Sequence, residues 1–156
     1  MDRLEKFAVR SEIEALSAEF AYLIDHDLSE RVAGLFTPEG SYGVQGGKRS
    51  MGRTEIRAAY AARAARGLRT ARHVFTNLRL IFQRPDLVRA TSILTLFADD
   101  GPPPRPAEVN MVADYDDVIV RNLDGIWQYE SRTIVAAFVH PGGKPTVLPL
   151  GEAKPR

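Results

Sequence analysis

Cysteine is absent from the 156 residues, which excludes disulfides, thiolate nucleophiles and cysteine-ligated zinc. Histidine is scarce, with three in the chain, and tryptophan occurs once. No apolar run approaches the roughly 20 residues needed to span a bilayer. The opening Met1-Asp2-Arg3-Leu4-Glu5-Lys6 has no apolar stretch of signal-peptide length. The expectation is a cytoplasmic protein with no membrane partner. An excess of one charge is also missing: 21 basic residues against 20 acidic ones leave a net +1, which gives no pull toward nucleic acid. Glycine-rich phosphate loops, nucleophile elbows, internal repeats and low-complexity segments are not found either.

What remains is the mix of an ordinary globular domain, 44% hydrophobic and 26% charged. Its length is that of one domain. Arg57, Arg63, Arg66, Arg69 and Arg72 form a basic cluster without interleaved aromatic residues. The first four read as a solvated helix face and its exit.

Val9, Ile13, Leu16, Phe20, Leu23 and Ile24 recur at three- and four-residue spacing, predicting an amphipathic helix over 9–26. Ser29 to Phe36 reads as a short second helix capped by Ser29. Thr37-Pro38-Glu39-Gly40 turns the chain into a short strand near Ser41 to Val44, and 45–50 is a loop. A third helix is expected from Thr54 to Ala65, ended by Gly67. Beyond it, 70–83, 87–98, 109–122 and 126–138 are rich in β-branched and aromatic residues and read as four long strands. They are joined by Arg84-Pro85-Asp86, a proline-rich loop over 99–108, and the tight turn Leu123-Asp124-Gly125. Helices followed by an antiparallel meander predict an α+β domain over 1–140, its helices on one face of the sheet, with a concave mouth suited to a small ligand. Residues 141–156 are expected to be an irregular tail, with Val147, Leu148 and Leu150 able to fold over the mouth or a neighbouring subunit.

The chemistry-bearing residues centre on an aspartate and a histidine. Asp25 falls in Tyr22-Leu23-Ile24-Asp25-His26-Asp27 at the end of the first helix, and His73 in Arg72-His73-Val74-Phe75-Thr76-Asn77 on the first long strand. A carboxylate that orients an imidazole makes a compact acid–base device. On a straight helix Asp25 lies beside Ala18, Ala21 and Tyr22, while Asp27 lies on the apolar stripe, so Asp27 is the alternative carboxylate. Period-two alternation puts His73, Phe75 and Asn77 on one strand face. Tyr22, Tyr42, Tyr60 and Tyr115 are candidate phenolic donors for a substrate carbonyl. Asp114, Asp116 and Asp117 alternate across both faces of a strand, which argues against a metal cluster. His26 and His140 are expected to face solvent.

The order of elements resembles the nuclear transport factor 2-like fold, a cystatin-like roll in which a cone-shaped sheet wraps around N-terminal helices. The pieces that carry the resemblance are Tyr22-Leu-Ile-Asp25, Leu35-Phe36-Thr-Pro38-Glu-Gly40, Gly52-Arg-Thr-Glu-Ile56, Arg72-His73 with Asn77, Tyr115 with Asp117, and Asp124-Gly125 with Trp127 and Arg132. They point to its SnoaL-like (polyketide cyclase-like) branch, which includes scytalone dehydratase and bile-acid 7α-dehydratase. In such dehydratases an aspartate near the end of the first helix pairs with a strand histidine, which removes a proton next to a carbonyl before water is lost.

The resemblance implies Asp25 and His73 as the catalytic pair, with Tyr115 as the candidate phenolic donor beside them. Phe20, Tyr22, Tyr42, Tyr60, Phe75, Asn77 and Arg132 are the candidate contacts for a small, largely apolar carbonyl substrate, with a structural role for Arg132 as the competing assignment. No cofactor or metal is expected, and a homotrimer is favoured over a homodimer. Two positions depart from the pattern. The next strand has apolar residues near Leu96 and Phe97 where scytalone dehydratase has a second histidine. Phe20 stands where some members have a phenol. The rival expectation is a non-catalytic ligand- or partner-binding domain, such as the small subunit of a ring-hydroxylating dioxygenase.

Overall fold

The computed structural model describes residues 1–142. The expectations for Val147, Leu148 and Leu150 and for most of the tail lie outside them.

Helix α1 spans Arg3–Asp25. It starts two turns earlier than the apolar stripe suggests because Asp2 and Glu5 close a capping box. The Asp2 side chain accepts the Glu5 amide at 2.8 Å, and Glu5 accepts the Asp2 amide at 2.6 Å. Val9, Ile13, Leu16, Phe20 and Leu23 form its buried stripe. A short 3-10 helix, Ser29–Leu35, follows. Its cap position is Leu28 with no side-chain hydrogen bond, so Ser29 is not the cap that the sequence suggests. Strand β1 (Phe36–Val44) takes in the segment 37–40 that reads as a turn, and β2 (Arg49–Met51) begins inside the expected loop 45–50. Gly40 is needed in β1: a Cβ there would stand 2.8 Å from the Tyr129 carbonyl oxygen. Helix α2 spans Gly52–Ala64 and buries Ile56, Tyr60 and Arg63, a stripe at i, i+4 and i+7.

The four long strands are β3 (Arg69–Arg84), β4 (Leu87–Asp100), β5 (Met111–Arg121) and β6 (Trp127–Val139). They form the expected meander within one six-stranded sheet of order β2-β1-β6-β5-β4-β3. All neighbours are antiparallel except β1 and β6, which run parallel. The sheet curves without closing, and α1 and α2 pack inside the curve. The class is α+β, with a cystatin-like, nuclear transport factor 2-like architecture.

Strand β3 holds a correction. The pairing with β4 slips between Thr76 and Arg79, and Asn77 sits there at φ 55. An extra residue in one strand reverses which side chains face inward. His73 and Phe75 face inward before the slip; Leu78, Leu80 and Phe82 pack on the core after it, and Asn77 is left exposed. Asparagine tolerates the left-handed conformation better than most residues. Strict alternation therefore misplaces Asn77, which does not share the face of His73. Arg10 reaches this bulge, donating to the Leu78 carbonyl at 3.2 Å and tying α1 to β3.

The core is unusual in holding a full ion pair. Arg132 and Asp117 are register partners on β6 and β5. Arg132 Nε donates to Asp117 Oδ1 at 2.9 Å and Nη2 to Oδ2 at 2.8 Å, with exposures of 0% and 2%. The guanidinium carbon lies 4.1 Å from the ring centre of Tyr129, 4.2 Å from Tyr115, 4.4 Å from Phe20 and 5.3 Å from Phe75. Burial would lower the Arg132 guanidinium, but Asp117, Tyr129 and Tyr115 hold it above its ordinary value. Such a pair is fixed more by the cost of breaking it than by the gain in making it. Asp117→Ala should therefore lose about 3–5 kcal/mol of stability, read by denaturant unfolding. A loss below about 1 kcal/mol, the level of an exposed ion pair, would show that the charge is not confined by the core.

Candidate functional site

Asp25 is the last residue of α1, and β3 passes directly beside it. Both its carboxylate oxygens go to one residue. Oδ1 lies 2.6 Å from His73 Nδ1, and Oδ2 accepts the His73 backbone amide at 2.8 Å. The two side chains are 6% and 11% exposed. Arg72 adds a hydrogen bond from Nη1 to the Asp25 carbonyl oxygen at 3.3 Å. A carboxylate only accepts, so the neutral imidazole carries its proton on Nδ1 and leaves Nε2 for a ligand. Asp27 is not the partner. It follows the helix end at φ 59, is exposed, and stands in the pocket wall.

That wall surrounds a cavity of about 100 Å³ that opens to solvent. His73 contributes to it with Tyr42, Tyr60 and Tyr115, and Ile24, Leu94, Leu96, Met111 and Ile134 supply apolar surface. Leu96 pairs in register with His73 on the neighbouring strand. Tyr42, Tyr60 and Tyr115 are 4%, 1% and 1% exposed. The Tyr42 and Tyr60 rings stack at 6.1 Å between centres with 7° between planes. Tyr60 Oη is buried beside the Tyr42 hydroxyl. Burial raises all three phenols, at Tyr60 and Tyr115 well above the ordinary tyrosine value. At Tyr42 the neighbouring Tyr115 and Tyr60 hydroxyls partly offset it. These phenols stay protonated and able to donate through neutral pH.

The other expected site residues are placed elsewhere. Phe20 is fully buried at the centre of an aromatic cluster, its ring 5.9 to 6.4 Å from those of Phe36, Tyr42, Phe75, Tyr115 and Tyr129. Phe20, Phe75 and Arg132 belong to the packed core beside the pocket rather than to its wall, because the cation of Arg132 draws the rings around itself. Tyr22 is 52% exposed and stacks on His26 at 4.1 Å, outside the pocket. His26 and His140 are exposed. Asp114 and Asp116 face outward while Asp117 faces inward. No group of three or more possible metal ligands occurs among the described residues.

Two wall residues depart from the solvated helix face that the sequence suggests. Arg63 and Arg69 line the pocket, and Arg63 is 9% exposed, so the arginine cluster is not wholly a solvated face. The buried stripe of Ile56 and Tyr60 extends to position 63 by helical spacing, which is the signal that would have found it.

The SnoaL-like domain profile matches residues 5–133. The chain belongs to the SnoaL-like family. No curated protein sequence matches the chain. Among solved structures, a candidate scytalone dehydratase from Novosphingobium aromaticivorans is 18% identical, covering 96% of this chain and 98% of its own, with a TM-score of 0.78. LinA is 19% identical over 99% and 100%, with a TM-score of 0.73. The beta subunit of a candidate aromatic-ring-hydroxylating dioxygenase from the same Novosphingobium is 16% identical over 86% and 93%, with a TM-score of 0.75. At these identities the likeness is one of fold. No helix among the described residues of this SnoaL-like chain is long and apolar enough to cross a membrane.

The raised phenols give a check on this SnoaL-like core. Tyr129 is pushed up to about 12 by burial, with Arg132 opposing and Asp117 adding to the rise. A phenol whose folded value exceeds its unfolded one stabilises the fold fully below the unfolded value, 10.0, and that contribution is lost as pH rises through the folded value. Four of the five tyrosines are raised in this way. A spectrophotometric titration should show their phenolate absorbance appearing only with alkaline unfolding. Reversible ionisation of all five near 10 in the folded protein would contradict the burial described.

Proposed function

We propose that the chain is a cofactor-independent acid–base enzyme acting on a small, largely apolar carbonyl compound held in the cone pocket. The observation that carries this reading is the two-point contact of Asp25 with His73, which leaves Nε2 unclaimed by Asp25 on a histidine that lines a pocket shared with three protonated phenols. His73 Nε2 takes a proton from the carbon next to the substrate carbonyl, giving an enol or enolate. Asp25 holds the ring and stabilises the imidazolium. Tyr115, with Tyr42 and Tyr60 beside it, donates to the carbonyl oxygen on which charge develops. In a dehydration the proton on Nε2 then leaves with a β-hydroxyl as water, and a carbon–carbon double bond forms. If it returns to another carbon instead, the reaction is an isomerisation; if the enolate carbon attacks a second carbonyl of the substrate and the proton goes to the new alkoxide, it is a cyclisation. Dehydration is the first choice, in keeping with the fold shared with the candidate scytalone dehydratase. Leu96 occupies the wall opposite His73, so this scheme uses one histidine for both proton steps.

The second reading, a non-catalytic ligand- or partner-binding domain, draws on the fold shared with the dioxygenase beta subunit. It predicts a stable complex with a larger subunit and ligand binding without conversion. For the assembly we keep the homotrimer, with a homodimer as the alternative. Val74, Ile81, Phe138 and Val139 are exposed on the long strands and offer apolar surface to a second copy. A cytoplasmic location completes the proposal.

The test is turnover of hydroxy-ketone and enone panels by variants whose fold is checked by circular dichroism. His73→Ala and Asp25→Asn should each lower kcat by about 10²- to 10⁴-fold, the usual worth of a positioned acid–base group. The Asn variant keeps an acceptor for the His73 amide, so its melting temperature should change little. Full activity in either variant contradicts the acid–base reading.

A further inference from the structure

The acid–base reading leaves the charged end of the pocket unused. Four wall residues can carry charge: Asp27, Arg63, Arg69 and His73. Arg63 comes from the last turn of α2 and Arg69 from the first residue of β3. Arg63 Nη2 donates to Asp100 Oδ1 at 2.8 Å and Nη1 to the Gly67 carbonyl at 3.4 Å, but its Nε is buried with no partner. Arg69 Nη1 lies 3.9 Å from the same Asp100 oxygen. The adjoining carboxylate, Asp99, is gripped by Arg105. Arg66 adds a further positive charge that is felt at Arg69. Burial first, and Arg63 next, push the Arg69 guanidinium below its ordinary value against the pull of Asp100 and Asp99.

A simple staple between α2 and the end of β4 would need only the Arg63–Asp100 bond. It would not need the guanidinium in a pocket wall with an N–H left unsatisfied, which costs free energy. Crowded, partly dried cations are what an incoming anion relieves, and a guanidinium fork matches a carboxylate in shape. Asp27 is the opposing charge in the wall, and it is exposed on the chain that follows α1.

We propose that this end of the pocket binds a carboxylate of the substrate through Arg63 and Arg69. The ligand class is then a small aromatic or alicyclic carbonyl acid, anchored at the arginines and presented to His73. The inference rests on the reading of this pocket as the substrate site.

The experiment is calorimetric titration of the wild-type chain with naphthoate and with its methyl ester, alongside nitrogen–proton spectra of the arginine Nε–H groups. The acid should bind about tenfold more tightly than the ester or better, as expected for charge-assisted hydrogen bonds, and should shift the Arg63 Nε–H signal. The preference should shrink to about threefold or less in both Arg63→Gln and Arg69→Gln. Equal affinity for acid and ester, binding of neither at millimolar concentration, or a preference untouched by both substitutions overturns the proposal. The wild-type ratio needs no variant to fold and no turnover. An inactive His73→Ala with equal acid and ester binding therefore sinks this inference alone, and clear acid preference with a fully active His73→Ala sinks only the acid–base reading.

Discussion

Both oxygens of Asp25 are spent on a single residue, and much of the molecule is arranged so that they can be. The backbone amide of His73 takes Oδ2, which fixes the rotation of the carboxylate. Oδ1 then has no choice but to meet Nδ1. The contact joins the last residue of α1 to β3, the first of the four long strands. Arg72 reaching the Asp25 carbonyl and Arg10 reaching the β3 bulge hold helix and strand together on either side of it. A carboxylate this little exposed would be costly without such partners. The pairing that stabilises the helix end is therefore the same one that sets the tautomer and direction of the imidazole.

Behind this contact the pocket floor is stiffened by charge as well as by packing. Arg132 gives up water for four aromatic rings and the two oxygens of Asp117, and those rings include Tyr115 of the pocket wall. A cation under the wall favours negative charge developing above it, and the phenols remain protonated because burial disfavours phenolate. The acid–base residues therefore face a surface that can receive an oxyanion. At the other end the Arg63 and Arg69 pair gives the pocket a polarity along its length.

The sequence made much of this legible where period and chemistry agree. The stripe from Val9 to Leu23, the four long strands and their turns are strong local signals, and Asp25 with His73 stood out by the family resemblance of their surroundings. The failures have physical causes. Helical projection alone leaves Asp25 and Asp27 undecided, because the chain leaves helical geometry at His26 and Asp27 takes a left-handed conformation. Alternation failed at Asn77 because a one-residue bulge reverses facing, and only the pairing with β4 shows it. Phe20, Phe75 and Arg132 read as pocket residues because an aromatic cage around a buried cation has no periodic signature. Arg63 reads as solvated because its charge masks its place on the Ile56 and Tyr60 stripe. The parallel pairing of β1 with β6 joins segments far apart in the chain, which no local pattern encodes.

The most direct test of the account is the position of the ring proton on His73, read by long-range nitrogen–proton correlation NMR in the wild type and in Asp25→Asn. With Oδ2 accepting the backbone amide, an asparagine must keep its oxygen there and turn its NH₂ toward Nδ1. The account predicts a neutral His73 protonated on Nδ1 in the wild type and on Nε2 in the variant, which removes the base from the pocket. The same tautomer in both proteins would contradict it.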